Sequence, residues 1–237
     1  LLDAVDAVAR DVRRDLGESL AAIQQSSRPL PKVTTPSLQA LKLYVDGSAL
    51  WGKGDYHTAV SQYEAAVAGD PEFAMAHAAL GSAYMSFIYN DRVKGRQHLE
   101  RAIELADRTT ERERLTIQIT HASSLDTPAQ AERLYRLYLS QYPDDAPMRY
   151  NFGSTLMRQE RFREAIDELS EVVRVVPTFA SAYVNLATCQ ASDRLHDQAI
   201  ANYDKAFAIE PAWKVGGNLN HEYGFAYGNY TYTLVPK

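Results

Sequence analysis

The chain has 237 residues, 46% of them hydrophobic and 23% charged, and its 25 basic and 30 acidic side chains give a net charge of −5. This composition is typical of soluble globular proteins and lacks the clustered basic excess of nucleic-acid binders. The single cysteine, Cys189, excludes an intrachain disulfide, and no Cys/His spacing predicts structural zinc. No apolar run approaches the roughly 20 residues that span a bilayer, so we expect no membrane contact by this segment itself. The sequence begins with Leu1 rather than Met, and we expect it to be a segment of a longer protein.

The first predicted element is an amphipathic helix in residues 1–25. Its apolar residues step by three or four, at Leu1, Val5, Val8, Val12, Leu16, Leu20 and Ile23. Residues 26–35 are a predicted linker, because prolines with several Ser and Thr residues disfavour regular structure, until Thr35 caps and Pro36 opens the next helix. The opening helix lacks the pattern that follows, so it is either the end of a preceding domain or a cap over the first hairpin.

Residues 36–228 carry an internal repeat with a period of about 34 residues. In residues 40–73 it is marked by Gly47 in a first helix, Ala59 in a second helix and then Pro71. The matching residues are Gly153, Ala165 and Pro177 in residues 146–179, and Ala187, Ala199 and Pro211 in residues 180–213. In residues 74–109 the second half of the pattern comes two residues late, which predicts an insertion near residues 89–91. Residues 110–145 keep only the second half of the pattern. A partial sixth unit occupies residues 214–228, and residues 229–237 form a tail.

The recurrence of small residues at fixed positions of the repeat has a physical explanation. Glycine inside a helix costs about 1 kcal/mol relative to alanine, so its recurrence predicts that the two helices of each hairpin approach closely there. Where the repeat carries proline, it ends the second helix, because proline lacks the N–H and its ring clashes with the preceding turn. A layer of large side chains is predicted to fill the space between hairpins: Tyr63, Leu99, Tyr135, Leu169 and Tyr203.

This period, with small residues at the eighth and twentieth positions and proline at the thirty-second, resembles the tetratricopeptide repeat. The resemblance implies an all-α fold, an α-solenoid of about five helix–turn–helix repeats plus a partial sixth, wound as a right-handed superhelix. It also implies a non-catalytic scaffold that binds a peptide or a partner protein.

Three short stretches, LGESLAAI, LPKVTTPSLQALKLYVDG and TERERL, are similar to the C-terminal repeat region of bacterial membrane-anchored serine/threonine kinases and winged-helix transcriptional regulators. This similarity implies the sensory or regulatory part of a larger bacterial signalling protein. By analogy the segment is periplasmic or extracytoplasmic, with the cytoplasm as the alternative.

In tetratricopeptide arrays the first helices line a concave surface, and the resemblance implies a peptide-binding groove there. Asn151 and Asn185 lie 34 residues apart at equivalent positions, and an amide can both donate to and accept from a peptide main chain. The alternative is that these asparagines cap the preceding turn or face water. Among the predicted groove residues only Arg158 is basic, so a clamp for a C-terminal carboxylate is not predicted. The aromatic and thioether side chains of the groove instead favour an extended or helical apolar peptide. The predicted groove residues are Tyr44, Ser48, Trp51, Ala78, Ser82, Met85, Tyr150, Asn151, Ser154, Met157, Arg158, Val184, Asn185 and Thr188.

No motif predicts catalysis, a cofactor or a metal site. The histidines are scattered; His77 and His98 lie on paired helices and can meet, but we prefer exposed or core-edge positions for them. The basic cluster of Arg92, Lys94, Arg96 and Arg101 favours a mixed-charge surface helix over an anion site. We therefore predict a protein or peptide partner, and the alternative is a homo-oligomerisation module with no separate ligand.

Overall fold

The computed structural model describes residues 34–214 together with Asn229 and Thr233. Within these residues it contains ten α-helices, two short 3-10 helices and no strand, which confirms the predicted all-α fold class. The predicted helix 1–25, linker residues 26–33, residues 215–228 of the partial sixth repeat and the tail apart from Asn229 and Thr233 lie outside the described residues. The helices are α1 (Leu38–Gly52), α2 (Tyr56–Gly69), α3 (Ala74–Met85), α4 (Arg92–Leu105), α5 (Glu111–Ser124), α6 (Pro128–Gln141), α7 (Ala146–Arg158), α8 (Phe162–Val175), α9 (Ala180–Ser192) and α10 (His196–Ile209).

The chain divides into two compact units, Leu1–Leu134 and Tyr135–Lys237, and the boundary falls within α6. In the first unit α1 pairs with α2 and α3 pairs with α4, while α5 packs against both α3 and α4. In the second unit α7 pairs with α8 and α9 pairs with α10, and α8 also packs against α9. None of the described helices has the length and apolar character needed to cross a membrane.

The start of the first repeat differs from the prediction. Ser37, rather than Thr35, caps α1: its Oγ accepts a hydrogen bond from the Ala40 amide at 3.1 Å, and the helix begins at Leu38. The Thr35 hydroxyl instead donates to the buried carboxylate of Asp70, at the end of α2. The Thr35 oxygen also accepts from the Ser37 amide at 3.1 Å, one residue before the helix begins, so the free amides of the first turn are left to Ser37.

A left-handed residue marks the turn inside every described hairpin. These residues are Gly54 (φ 81°), Asn90 (φ 48°), Asp126 (φ 60°), Glu160 (φ 59°) and Arg194 (φ 65°). Each comes immediately before the residue that precedes the second helix, at intervals of 34 to 36 residues. The turn geometry therefore recurs in the irregular second and third repeats as well. In the second repeat the turn spans residues 86–91, a longer connection at the place where the repeat spacing predicts an insertion.

The helices of the second hairpin approach each other backbone to backbone. A Cβ built on Gly81 would lie 2.9 Å from the Leu99 amide nitrogen and 3.0 Å from the Gly95 carbonyl oxygen. Ordinary contacts of a Cβ fall between 3.4 and 4 Å, so α3 and α4 can pack this closely only because both helices carry glycine at the crossing.

The predicted interlayer side chains are all buried, each no more than 5% exposed: Tyr63, Leu99, Tyr135, Leu169 and Tyr203. In the fourth repeat the sequence pattern pairs Gly153 on the first helix with Ala165 on the second, but Leu169 makes the closer contact. The nearest atom to a Cβ on Gly153 is Leu169 Cγ at 2.8 Å, and the next neighbours belong to Leu169 and Glu168 rather than to Ala165.

Candidate functional site

On α1, the predicted groove residues belong mostly to an aromatic cluster. The Tyr44 ring packs 6.1 Å from that of Tyr63 and 5.2 Å from that of Phe73, measured between centroids. The Tyr63 hydroxyl donates to Ser48 Oγ at 3.3 Å, and Ser48 Oγ donates to the Tyr44 carbonyl at 2.9 Å. Burial, with a smaller contribution from neighbouring Tyr63, raises the pKa of Tyr44 to about 12, so its hydroxyl stays neutral. Trp51 packs edge-on against Tyr56, with centroids 4.8 Å apart.

On α3, one predicted groove residue is not accessible. Ala78 is buried in an apolar cluster with Ala102, Leu105 and Ile117, because α5 packs over this side of α3, so its assignment to the groove is wrong. Met85 is half-buried and its thioether contacts the hairpin crossing, since a Cβ on Gly95 would lie 2.8 Å from Met85 Sδ. Ser82 is half-buried.

On α7, the predicted residues form a polar row. Asn151, Ser154 and Arg158 follow one another at spacings of three and four and therefore lie on one face of the helix. Asn151 and Arg158 are exposed, and Ser154 and Met157 are half-buried. The Asn151 side chain makes no hydrogen bond within the described part of the chain, whereas Arg158 Nη2 donates to Thr155 Oγ1 at 3.3 Å.

On α9, Asn185 links this helix to α7. Its Nδ2 donates to the Tyr150 hydroxyl and to Ser154 Oγ, both at 3.0 Å, and the residue is only 6% exposed. Val184 is fully buried among Tyr203 and its neighbours, so its assignment to an accessible groove is wrong: α10 covers it. Thr188 Oγ1 bonds the Val184 carbonyl and the Tyr203 hydroxyl, each at 2.9 Å.

These contacts join α7 and α9 in a polar surface, which we call the α7–α9 face. We define it by Tyr150, Asn151, Ser154, Arg158 and Asn185. Its two asparagines occupy equivalent repeat positions but differ in environment, because α7 covers Asn185 and no described helix covers Asn151 to the same degree.

The structure places His77 and His98 in direct contact, whereas the sequence analysis preferred separate exposed or core-edge positions for them. His77 Nδ1 and His98 Nδ1 are 3.0 Å apart, and His77 Nε2 lies 3.2 Å from the Pro71 carbonyl oxygen. Since Nε2 must donate to that carbonyl, neutral His77 accepts at Nδ1 and His98 donates. Burial lowers the pKa of both imidazoles. The signal in the sequence was their placement on the two paired helices of one repeat.

The other candidate groups have structural explanations. Lys94 pairs with Asp91 at 3.7 Å and Arg101 pairs with Glu104 at 2.9 Å, both on the surface of α4, as the mixed-charge interpretation expects. Cys189 is fully buried, and burial raises the pKa of its thiol to about 12. Among the described residues no three His, Cys, Asp or Glu side chains form a group that could hold a metal ion.

Residues 44–87 and 150–212 match the family model of the tetratricopeptide repeat, one segment in each unit. The α-solenoid of this repeat class is therefore the fold of the chain. Proteins of the class mediate interactions with proteins or peptides and are generally non-catalytic scaffolds.

Among curated proteins, the chain is 22% identical over 169 residues to the DnaJ homolog subfamily C member 7 homolog of Dictyostelium discoideum. The match covers 71% of this chain and 27% of that protein, so the chain spans about a quarter of the relative's length.

Two solved structures show the same fold. A tetratricopeptide repeat protein from Parabacteroides merdae aligns with a TM-score of 0.61 at 13% identity, covering 98% of this chain and 84% of that one. A thermophilic repeat protein from Thermus thermophilus aligns with a TM-score of 0.58 at 18% identity, covering 82% of this chain and 98% of that one.

Proposed function

We propose that this chain is the partner-recognition part of a larger bacterial signalling protein and that its α7–α9 face binds an extended peptide segment of the partner through the peptide main chain. The observation that carries the proposal is the hydrogen-bonded link in which Asn185 Nδ2 donates to Tyr150 and Ser154. The protein-binding role of the repeat class supports it.

The chemistry of the face suits a main chain. Ser154 accepts from Asn185 and so keeps its own O–H for a peptide carbonyl, while exposed Asn151 offers both an N–H donor and a C=O acceptor. Residues three apart on a helix lie about 5–6 Å from each other, which is close to the spacing of like-facing groups along an extended peptide. Because Asn185 on α9 donates a hydrogen bond to Ser154 on α7, the Ser154 hydroxyl is positioned before the peptide binds, and this lowers the entropic cost of binding.

Arg158 adds one positive charge a turn beyond Ser154. A single exposed cation at one end of the row favours an acidic side chain at the corresponding end of the peptide. We therefore expect peptides that bind this face to share an acidic residue on one side of an uncharged stretch.

A random-peptide display library selected on the full chain supplies the probe, and the dissociation constant of a selected peptide is then measured. Asn151→Ala should weaken binding by about 2- to 12-fold, equivalent to one hydrogen bond of about 0.5–1.5 kcal/mol, without changing stability. Gln97→Ala is the control, because it removes another exposed side-chain amide, on α4, and it should leave the dissociation constant unchanged.

The double variant Asn151→Ala with Asn185→Ala tests the whole face. Asn185 is buried, so its replacement should also lower the denaturant midpoint, and binding must be measured where the circular dichroism spectrum is native. A natively folded double variant that binds selected peptides as tightly as the parent would disprove the proposed face.

A further inference from the structure

The second hairpin contains a pair of imidazoles that the α7–α9 face does not involve. His77 on α3 is only 7% exposed, and its Nδ1 lies 3.0 Å from Nδ1 of His98 on α4. The ring centroids are 5.2 Å apart, which is close to the largest separation that a 3.0 Å contact between two ring nitrogens allows. The two nitrogens therefore point almost directly at each other, and only one hydrogen fits between them.

This contact limits the number of protons that the folded pair can bind. In the neutral pair His98 donates from Nδ1 and His77 accepts at Nδ1. A first added proton can bind outside the contact, at Nε2 of His98, without disturbing that hydrogen bond. A second added proton would place N–H groups on both Nδ1 atoms, which would then face each other with no acceptor between them. The folded pair therefore binds at most one of the two protons that two unfolded histidines bind below about pH 6.5.

The charges around the pair are of both signs and oppose each other. Burial lowers the pKa of both imidazoles; in addition, each has a carboxylate of α2 or its C-cap that raises the pKa and a cation of α4 that lowers it. The neighbouring group on α3 is Tyr84, which is neutral because burial and the Glu64 carboxylate raise its pKa to about 12. The charged neighbours are Asp70 and Arg101 at His77, and Glu64 and Lys94 at His98.

The pair connects α4 to the junction between the first and second repeats. His77 Nε2 donates to the Pro71 carbonyl oxygen at 3.2 Å, and Pro71 lies between α2 and α3. On the other side, the His98 ring stacks on that of Tyr84 with centroids 6.0 Å apart, and the Tyr84 hydroxyl donates to Glu64 on α2. A continuous row of contacts thus runs from α2 through α3 to α4, and loss of the contact between the imidazoles interrupts it.

We propose that the His77–His98 contact is a pH-sensitive switch of the first unit, which is closed at neutral pH and which acid opens, loosening the packing of α3 and α4. The opened hairpin binds one more proton than the closed hairpin, so acid favours the opened form. Its population relative to the closed form should therefore rise about 30-fold between pH 7.5 and pH 5.0. The switch lies in the first unit and does not depend on peptide binding by the α7–α9 face, so either proposal can fail without the other.

Hydrogen–deuterium exchange of the full chain at pH 7.5 and pH 5.0 tests the switch. After correction for the intrinsic pH dependence of exchange, the protection of backbone amides in α3 and α4 should fall about 30-fold in acid. Helices α7 and α8 contain no histidine, and their protection should change much less. His98→Asn should remove most of the fall, because an amide can donate to neutral His77 and, turned over, accept from protonated His77. His121→Asn is the control: it replaces a half-buried histidine on α5 outside the pair, and the fall should persist.

Nuclear magnetic resonance of the imidazole nitrogens counts the protons directly and needs no variant. While the chain remains native, His77 and His98 together should take up no more than one proton between pH 7.5 and pH 5.0. Uptake of two protons by the native pair would overturn the proposal, even if His98→Asn does not fold. The proposal also fails if protection falls equally in α3–α4 and α7–α8, or if natively folded His98→Asn keeps the full pH dependence of the parent.

Discussion

Gly81→Ala tests the close crossing of α3 and α4 on which the hairpin geometry depends. The added methyl carbon would lie 2.8 Å from Leu99 Cγ, 2.9 Å from the Leu99 nitrogen and 3.0 Å from the Gly95 oxygen. Two of these atoms belong to the backbone of α4, so no rotamer change relieves the contact, and the helices must separate by roughly 0.5 Å to restore ordinary carbon contact distances. Alanine gains up to about 1 kcal/mol of helix propensity over glycine, and overpacking costs typically about 1–3 kcal/mol. We therefore expect a net loss of about 0–2 kcal/mol, which is about 1–3 kcal/mol relative to a Gly→Ala change that meets no contact.

Gly52→Ala is the matched control, since a Cβ on Gly52 has nothing within 4 Å. It should leave stability unchanged or raise it by up to about 1 kcal/mol. Urea unfolding is followed by the fluorescence of Trp51 in a Trp213→Phe background, because Trp51 then reports on the first unit alone. If Gly81→Ala proves as stable as Gly52→Ala, the two helices do not approach as closely as the structure places them.

Three further perturbations follow from the packing. Ala165→Leu should lower the urea midpoint of the second unit by an amount equivalent to about 1–3 kcal/mol, because Ala165 is fully buried and the added carbons have no space; an unchanged midpoint would show that the repeat register is wrong. Thr35→Val should cost about 1–3 kcal/mol in urea unfolding, because it removes the hydroxyl donor from the buried Asp70 carboxylate, and a neutral effect would mean that this bond contributes nothing. Burial lowers the pKa of His77 and His98 below the ordinary 6.5, so below that pH the unfolded chain binds more protons than the folded chain and the urea midpoint should fall between about pH 7.5 and 5. The fall should be smaller in His98→Asn, whose amide can donate in place of Nδ1, and an identical pH profile would exclude the pair as its source.

The helical repeat was readable from the sequence because the features that define it are local. A helix needs only neighbouring residues, and proline ends a second helix wherever it occurs: α2, α6, α8 and α10 each stop two residues before Pro71, Pro143, Pro177 and Pro211. The small residues at fixed spacing likewise determined where the two helices of a hairpin cross. These properties repeat with the sequence, so periodicity alone predicts them.

The exposure of each groove residue was decided only by the tertiary structure. Asn151 and Asn185 are the same residue at the same repeat position, yet Asn151 is exposed and Asn185 is buried against α7. Ala78 and Val184 were placed on the groove by position, but α5 and α10 cover them. The repeat pattern determines where a side chain lies on its own helix, whereas its accessibility depends on which other helix packs over that place, and this depends on contacts between residues far apart in the sequence.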